Sequence, residues 1–433
     1  MVTRPGRAAA ASVVTASLAL IGFMTLRPAE APAGLPTFCI FCGPLGGVDF
    51  TLNTALFVPL GLGLRWLLGR WTTSVIIGAA TTLVIEALQW RFIPGRDASL
   101  GDLLANTLGT MLGAWLAVAG LRWVNATSSE ARRFAGAFGI AVTLVVTASA
   151  WMLQPIQTRY PQWVQWKPER RNLDTFQGRL MEVELNEIPL RPTQILQPYR
   201  SIDPVTRSVT VRATLTIPPA PTRRQAIIVR IANPLEEGFY LAQWGQAAVF
   251  RTRIAAERLK LRPLLVGLEN ALSVSDTETN GTTGEITLEA NSNPRAMAVR
   301  RGPTGRETEV TLRRTIGLAW ALLLPWDVAL RPTWWLANAL WLGSLTFPVA
   351  FLTIRSGGTR SGDSGRALVW WPLPLVLGSM VAASAASGLS PLGMGEWLGV
   401  LTGIVAGLAV ERLTTARDRA DLKAGARVGS IPS

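Results

Sequence analysis

Five apolar stretches follow one another in the first 153 residues, at roughly 8–26, 49–68, 73–91, 102–121 and 134–153. A helix rises 1.5 Å per residue, so about 20 apolar residues cross the ~30 Å hydrocarbon core of a bilayer. Three further stretches lie at about 333–354, 367–388 and 395–412. Apolar residues make up 49% of the 433 and charged residues only 16%, against about 25% in an ordinary soluble domain. This pattern excludes an ordinary cytosolic enzyme. It predicts a membrane α-helical bundle of about eight transmembrane helices.

The stretch between the two apolar groups reads differently. Val209, Val211, Ala213, Leu215 and Ile217 alternate with Thr210, Arg212, Thr214 and Thr216, the period of a half-buried strand. Gln225–Ala232, Phe239–Trp244, Ala247–Ile254, Glu285–Ala290, Arg295–Arg301 and Glu307–Leu312 are further strand candidates, separated by Pro, Asn-Gly and Asn-Pro punctuation. The expected organisation is a five-span transmembrane domain over 1–153, an antiparallel β-sandwich over 154–315, and a C-terminal transmembrane region over 316–412. A disordered tail is expected over 413–433. The last region is read as an interfacial or re-entrant segment, 316–330, followed by three spans.

Charge orients this arrangement. The net charge is +14 and its carrier is arginine, with only Lys167, Lys260 and Lys423 as lysines. With the N-terminus inside, the loops and tail on that side hold 15 basic residues, while the short outer loops hold only Arg27, Arg91 and Arg96. The expected address is therefore a bacterial inner (cytoplasmic) membrane, with both termini cytoplasmic and the β-domain extracytoplasmic. The first stretch reads as an uncleaved anchor, its apolar run being long for a signal peptide, which is the alternative. No part of the charge balance calls for nucleic acid. The chain contains no histidine, which removes His triads, His general bases and His metal ligands together. No cofactor and no metal are expected.

Polar side chains inside spans are costly and mark function more often than elsewhere. The second stretch opens Asp49-Phe-Thr-Leu-Asn53-Thr54 and the fourth Asp102-Leu-Leu-Ala-Asn106-Thr107. Each Asp and Asn, four apart, shares one helix face. Glu86 and Gln89 share a face of the third stretch, and Arg96 follows in the outer loop. All of these converge on the outer leaflet. Two readings stay open: a polar headgroup site, or interhelical hydrogen bonds and helix caps with no ligand. Gly109-x3-Gly113 is a close-packing signature. Cys39-Ile-Phe-Cys42 is a disulfide candidate, with redox chemistry as the alternative and a closed zinc site excluded for want of ligands.

From Asp49 to about Leu121 the chain resembles the VanZ-like family. The resemblance rests on Asp49, Asn53, the Phe57-Val-Pro59-Leu-Gly61 run, Glu86 with Gln89, Arg96, Asp102, Asn106, Gly109 and Gly113. It implies a role at the outer face of the membrane, in a family implicated in resistance to teicoplanin and related lipoglycopeptides, and does not imply an enzyme. The middle segment is similar, more weakly, to laminin-G or concanavalin-like jelly rolls, which often bind carbohydrate. The expectation is a non-enzymatic envelope protein binding a lipid or lipid-linked glycan through Asp49, Asn53, Glu86, Gln89, Arg96, Asp102 and Asn106. Its β-domain would contact envelope carbohydrate or a partner protein. The alternatives are a transporter or flippase for such a lipid, and a hydrolase or transferase using Glu86.

Overall fold

The computed structural model describes residues 5–28, 39–95, 98–170, 172–197, 208–273, 285–302, 308–357 and 370–428. Four helices open the chain: α1 (Arg7–Thr25), α2 (Gly46–Leu68), α3 (Trp71–Phe92) and α4 (Leu100–Val124). After α5 (Ser128–Met152) comes the β-domain, then α6 (Trp335–Gly357), α7 (Pro372–Ala386) and α8 (Met394–Val428). Seven of these helices are long and apolar enough to cross a membrane. Side chains such as Leu18, Ile76, Leu83, Leu144, Leu340 and Val405 stand exposed on them, as lipid-facing residues would.

Three expectations about the helices are corrected. The seventh stretch gives a helix of only 15 residues, opened by Pro372 and followed by Gly388 at φ 68°. At 1.5 Å per residue that is about 22 Å, short of a full hydrocarbon core. The tail is not irregular from 413, because α8 continues to Val428 through a run of good helix formers (Ala, Arg, Leu, Lys) free of proline. And α5, expected with the first four helices, packs against α6 and α7 instead, so the helices divide four and four.

The first four-helix unit is organised by the contact of α2 with α4. A Cβ built on Gly109 would lie 2.1 Å from the Thr54 carbonyl oxygen, and one on Gly113 2.0 Å from that of Val58. Each glycine sits four residues beyond the last, and so does its partner, so the two helices run parallel. Lipid gives no hydrophobic drive between helices, and close backbone approach through small residues takes its place. Gly399 and Gly403 of α8 approach α6 in the same way, at the Ala339 and Gly343 carbonyls.

The β-domain has two sheets packed face to face. One has seven strands: β1 (Gln162–Trp166), β4 (Ile195–Leu196), β6 (Ala226–Ala232), β7 (Glu237–Trp244), β8 (Ala247–Thr252), β9 (Leu265–Leu268) and β13 (Ala329–Leu330), in the order β13-β9-β8-β7-β6-β1-β4. The other has six: β2 (Leu180–Leu185), β3 (Ile188–Pro189), β5 (Val209–Thr216), β10 (Glu285–Ser292), β11 (Ala296–Gly302) and β12 (Thr308–Arg313), in the order β12-β11-β10-β5-β2-β3. All pairings are antiparallel except β13 with β9. On β5, Val209, Val211, Ala213 and Leu215 point inward, as their alternation predicts, against Ile286, Leu288 and Ala290 of β10 and across to Leu241 and Phe250.

Arg314 closes one end between the sheets. It is fully buried, bonds the Asn293 carbonyl, Thr252 Oγ1 at 2.9 Å and Ser292 Oγ at 2.8 Å, and burial pushes its pKa down to about 9. The outer face of the seven-stranded sheet carries an ion network. Arg251 pairs with Glu237 at 3.0 Å and Glu257 at 2.6 Å, and Arg230 reaches Glu237 and, at 3.0 Å, Gln165. Burial pushes the Glu237 carboxyl up, but Arg251 and Arg230 outweigh it and hold the group below its ordinary range.

The segment 316–330, expected at a surface or re-entrant, is a correction of another kind. Ile316–Leu323 forms a 3-10 helix, and Ile316, Leu318, Ala321 and Leu322 are buried in the core that runs from the sandwich to the helices. Its last residues join the larger sheet as β13, so the β-domain closes after residue 315. The segment packs on α6, α5 and α2; Trp320 donates to Asn338 Oδ1 of α6 at 2.9 Å, and Arg262 of the β-domain bonds the Leu324 carbonyl at 2.9 Å.

Three substitutions have defined outcomes. Gly109→Ala forces α2 from α4 and lowers stability by about 1–3 kcal/mol. Gly120→Ala, with open space around it, meets no clash and leaves the melting temperature of the detergent-solubilised protein unchanged or slightly raised, alanine being the better helix former. Arg251→Ala leaves buried carboxylates underpaired and costs about 3 kcal/mol. A carboxyl depressed on folding stabilises above its ordinary value, 4.5 for Glu237, and loses that stabilisation as pH falls through the folded value. Arg251→Ala therefore moves the onset of acid unfolding to higher pH, read by circular dichroism.

Candidate functional site

A cavity of about 680 Å³ opens among α1, α2, α3 and α4, at the end of the bundle that meets the β-domain. Asp49, Asn53, Glu86, Gln89, Asp102 and Asn106 all line it. Arg96 lies outside the described residues. The α2–α4 approach fixes the distance between the two Asp-x3-Asn motifs. Asn53 of the first donates to Asp102 Oδ1 of the second at 2.6 Å. The second Asn turns elsewhere: Asn106 donates to Thr82 Oγ1 of α3 at 2.8 Å. The motifs are alike in sequence and different in use.

Two of the remaining groups tie helix ends. The Ser99 hydroxyl caps α4, accepting from the Asp102 amide at 2.9 Å, and the Ser99 amide donates to Glu86 Oε2 at 2.9 Å. The Glu86 carboxylate of α3 thus sits at the positive end of the α4 dipole. Gln89 donates to the Thr25 carbonyl at the end of α1, at 2.9 Å. Ser99, Thr82 and Thr25 escape a reading of charged and amide residues. Ser99-x-x-Asp102 just before an apolar run is nevertheless a capping signature visible in sequence.

Not every polar group on the cavity wall is engaged. Asn106 is 2% exposed, and its Oδ1 has no hydrogen-bond partner among the described residues. Pro59 of α2 has no amide proton to give the Ala55 carbonyl one turn back, and both residues line the cavity. These acceptors and the carboxylates suit a guest rich in O–H or N–H donors. Beside the cavity, an apolar groove of about 410 Å³ runs between α1 and α3, lined by Leu18, Ile21, Leu26, Ile77 and Val84. Ile85 belongs to both walls.

The mouth is held by residues 39–42. Cys39 and Cys42 form a disulfide. The Cys39 carbonyl accepts from the Gly101 amide of α4 at 3.1 Å, and the Phe41 carbonyl from Lys260 Nζ of the β-domain at 2.5 Å. Ile40 and Cys42 line the cavity. Lys260 also takes the Gly47 amide of α2 on its own carbonyl, at 3.2 Å, so one short loop and one turn join both helix starts to the β-domain.

A second buried carboxylate, Glu396 in the first turn of α8, was not legible as a site. It accepts from Thr315 Oγ1, from Asn338 Nδ2 at 3.0 Å and from the Gly393 amide at 2.8 Å. Fully engaged, it fastens α8 to α6 and to the end of the β-domain. No group of three or more His, Cys, Asp or Glu among the described residues can hold a metal ion.

Residues 9–122, which span α1 to α4, match the model of the VanZ/LLP1 family. This part of the chain is similar to that family over a stretch beginning earlier than Asp49 and ending before α5. No curated protein and no solved structure matches the chain.

The bridged loop predicts its own chemistry. Intact protein takes up no maleimide without reductant and two equivalents after reduction, read by mass. A four-residue loop constrains the unfolded chain little, so Cys39→Ser with Cys42→Ser costs about 2 kcal/mol at most.

Proposed function

We propose that the protein is a non-enzymatic membrane protein of the cell envelope that holds the headgroup of a lipid or lipid-linked glycan between α1 and α4. The unpartnered Asn106 oxygen carries this reading. A buried acceptor left without a donor costs about 1–3 kcal/mol, which a ligand hydroxyl or amine would offset. The apolar groove that shares Ile85 with the cavity supports the acyl or prenyl end of the same molecule. Asp49, Asn53, Glu86, Gln89 and Asp102 shape the polar part, with Arg96 assigned to the same site from sequence.

In this reading the membrane is the bacterial inner membrane. The basic loops support cytoplasmic termini, an extracytoplasmic β-domain and a cavity in the outer leaflet. A part in teicoplanin-type glycopeptide resistance belongs to the same reading, through occupancy of outer-leaflet lipid. The transport alternative needs a polar path onward through the bundle. The tight backbone contacts at Thr54 and Val58 speak against one between α2 and α4.

Native mass spectrometry of the purified protein tests the assignment. Asn106→Ala should lose co-purifying lipid at near-normal membrane abundance. Thr82→Val removes the packing bond of Asn106 but keeps its free oxygen, and should retain the lipid. Equal loss in both variants would make Asn106 a packing residue and sink the binding reading.

A further inference from the structure

A second cavity, of about 630 Å³, lies on the β-domain against the outer face of the seven-stranded sheet. The β7–β8 hairpin contributes Trp244 and Gln246, the turn after β9 contributes Glu269 and Asn270, and the segment leading into α6 contributes Asp327, Arg331 and Trp334. Its volume is that of a small-molecule site. Its chemistry is two indoles combined with carboxylates, amides and a guanidinium. Indole faces take the C–H face of a pyranose, and the surrounding donors and acceptors take its hydroxyls. The charges on the wall are of both signs, Glu269 pairing with Arg331 at 2.5 Å, which suits a neutral polyol better than an anion.

The wall is built rather than incidental. The Trp334 ring is braced by Trp320, centroids 5.6 Å apart, and Trp320 is fixed in turn by Asn338. Arg262 reaches three points of the segment: the Leu324 carbonyl at 2.9 Å, the Pro325 carbonyl at 2.6 Å and the Asp327 carboxylate. Gln225 also donates to Asp327, at 3.3 Å. Side chains locked in this way lose little entropy when a ligand arrives.

The placement matters most. Pro325 lines the helix cavity, and Asp327 lines the β-domain cavity. Two residues of chain span at most about 7 Å, so the two walls nearly meet. Between them Trp326 stands 63% exposed. The second cavity also reaches the start of α6, where Trp334 and Trp335 sit at the level favoured by interfacial indoles.

We infer that the β-domain cavity is a saccharide subsite for the same ligand, a glycosylated lipid whose sugar rests on Trp244 and Trp334 while its lipid-proximal part occupies the α1–α4 cavity. The inference rests on the lipid reading above. It narrows the ligand to a glycolipid and adds a division of labour: the helices hold the lipid, the sheet selects the sugar.

The test uses full-length protein in nanodiscs doped with diglucosyl-diacylglycerol, with sugar-free dioleoylglycerol, or with neither but with soluble maltose added. Retention is read by native mass spectrometry. Trp244→Ala and the exposed, fold-sparing Glu269→Gln should each weaken diglucosyl-diacylglycerol retention at least tenfold and leave dioleoylglycerol unchanged, whereas Asn106→Ala should lose both. Wild-type retention of the glycolipid by both pocket variants would overturn the saccharide subsite while sparing the lipid site. Maltose binding that depends on Trp244, with no preference for the glycolipid over dioleoylglycerol, would make the pocket an independent glycan site and overturn the single-ligand inference. Failure of wild type to retain either lipid would overturn the lipid reading itself.

Discussion

The backbone contact between α2 and α4 is the constraint on which the candidate site depends. In lipid, two apolar helices gain nothing by hiding apolar surface from each other, because the solvent is as apolar as they are. What remains is dispersion at close range and hydrogen bonding across the gap. Gly109 and Gly113 supply the first by letting α4 meet the Thr54 and Val58 carbonyls. Asn53 and Asp102 supply the second, and only because the glycines bring their helices that close. The polar cavity is the space left at the end of this contact, where the helices part toward α1 and α3.

The β-domain obeys the opposite physics. Its core residues, among them Val211, Leu215, Leu241 and Phe250, are held by removal from water, at about 25 cal/mol for each Å² of apolar surface. Two regimes thus meet along one seam, and the seam is polar and specific. Lys260 grips the loop and the helix start at the cavity mouth, Arg262 grips the segment between the cavities, and Arg314 seals the sandwich where Ser390 from the α7–α8 loop donates to its carbonyl at 2.9 Å. Basic residues counted in sequence only as net charge prove to be the joints between the two bodies.

Much of this was legible in the chain. Stretch length set the helices, period two set β5, and spacing of four set the faces of Asp49 with Asn53 and of Asp102 with Asn106, while β1, β2 and β9 drew no strand candidate. What escaped has physical reasons. The strands β3, β4 and β13 have two residues each, too short for any period. The 316–330 segment is as apolar as a lipid-facing one, and nothing local says that its cover is protein. The pairing of Asn53 with Asp102 rather than of each Asn with its own motif depends on a contact between residues 49 apart. Past residue 412 helix propensity and polarity point in opposite directions, and the helix runs on to Val428.

Comparison of the two buried carboxylate centres shows why one is read as a site and the other as a fastening. Glu396 is met by a hydroxyl, an amide side chain and a backbone amide, and nothing on it is left over. The α1–α4 centre is built from the same residue types, and Glu86 and Asp102 do similar fastening there. The difference is the surplus: the Asn106 oxygen, without a hydrogen-bond partner on the wall of an open space. In a chain with no histidine and three lysines, the described wall of this cavity offers amides, carboxylates and backbone carbonyls, with Arg96 assigned beside them from sequence. Such a wall accepts hydrogen bonds more readily than it donates them. The proposed guest matches such a wall with hydroxyls or amines, and the neighbouring apolar groove matches its other end.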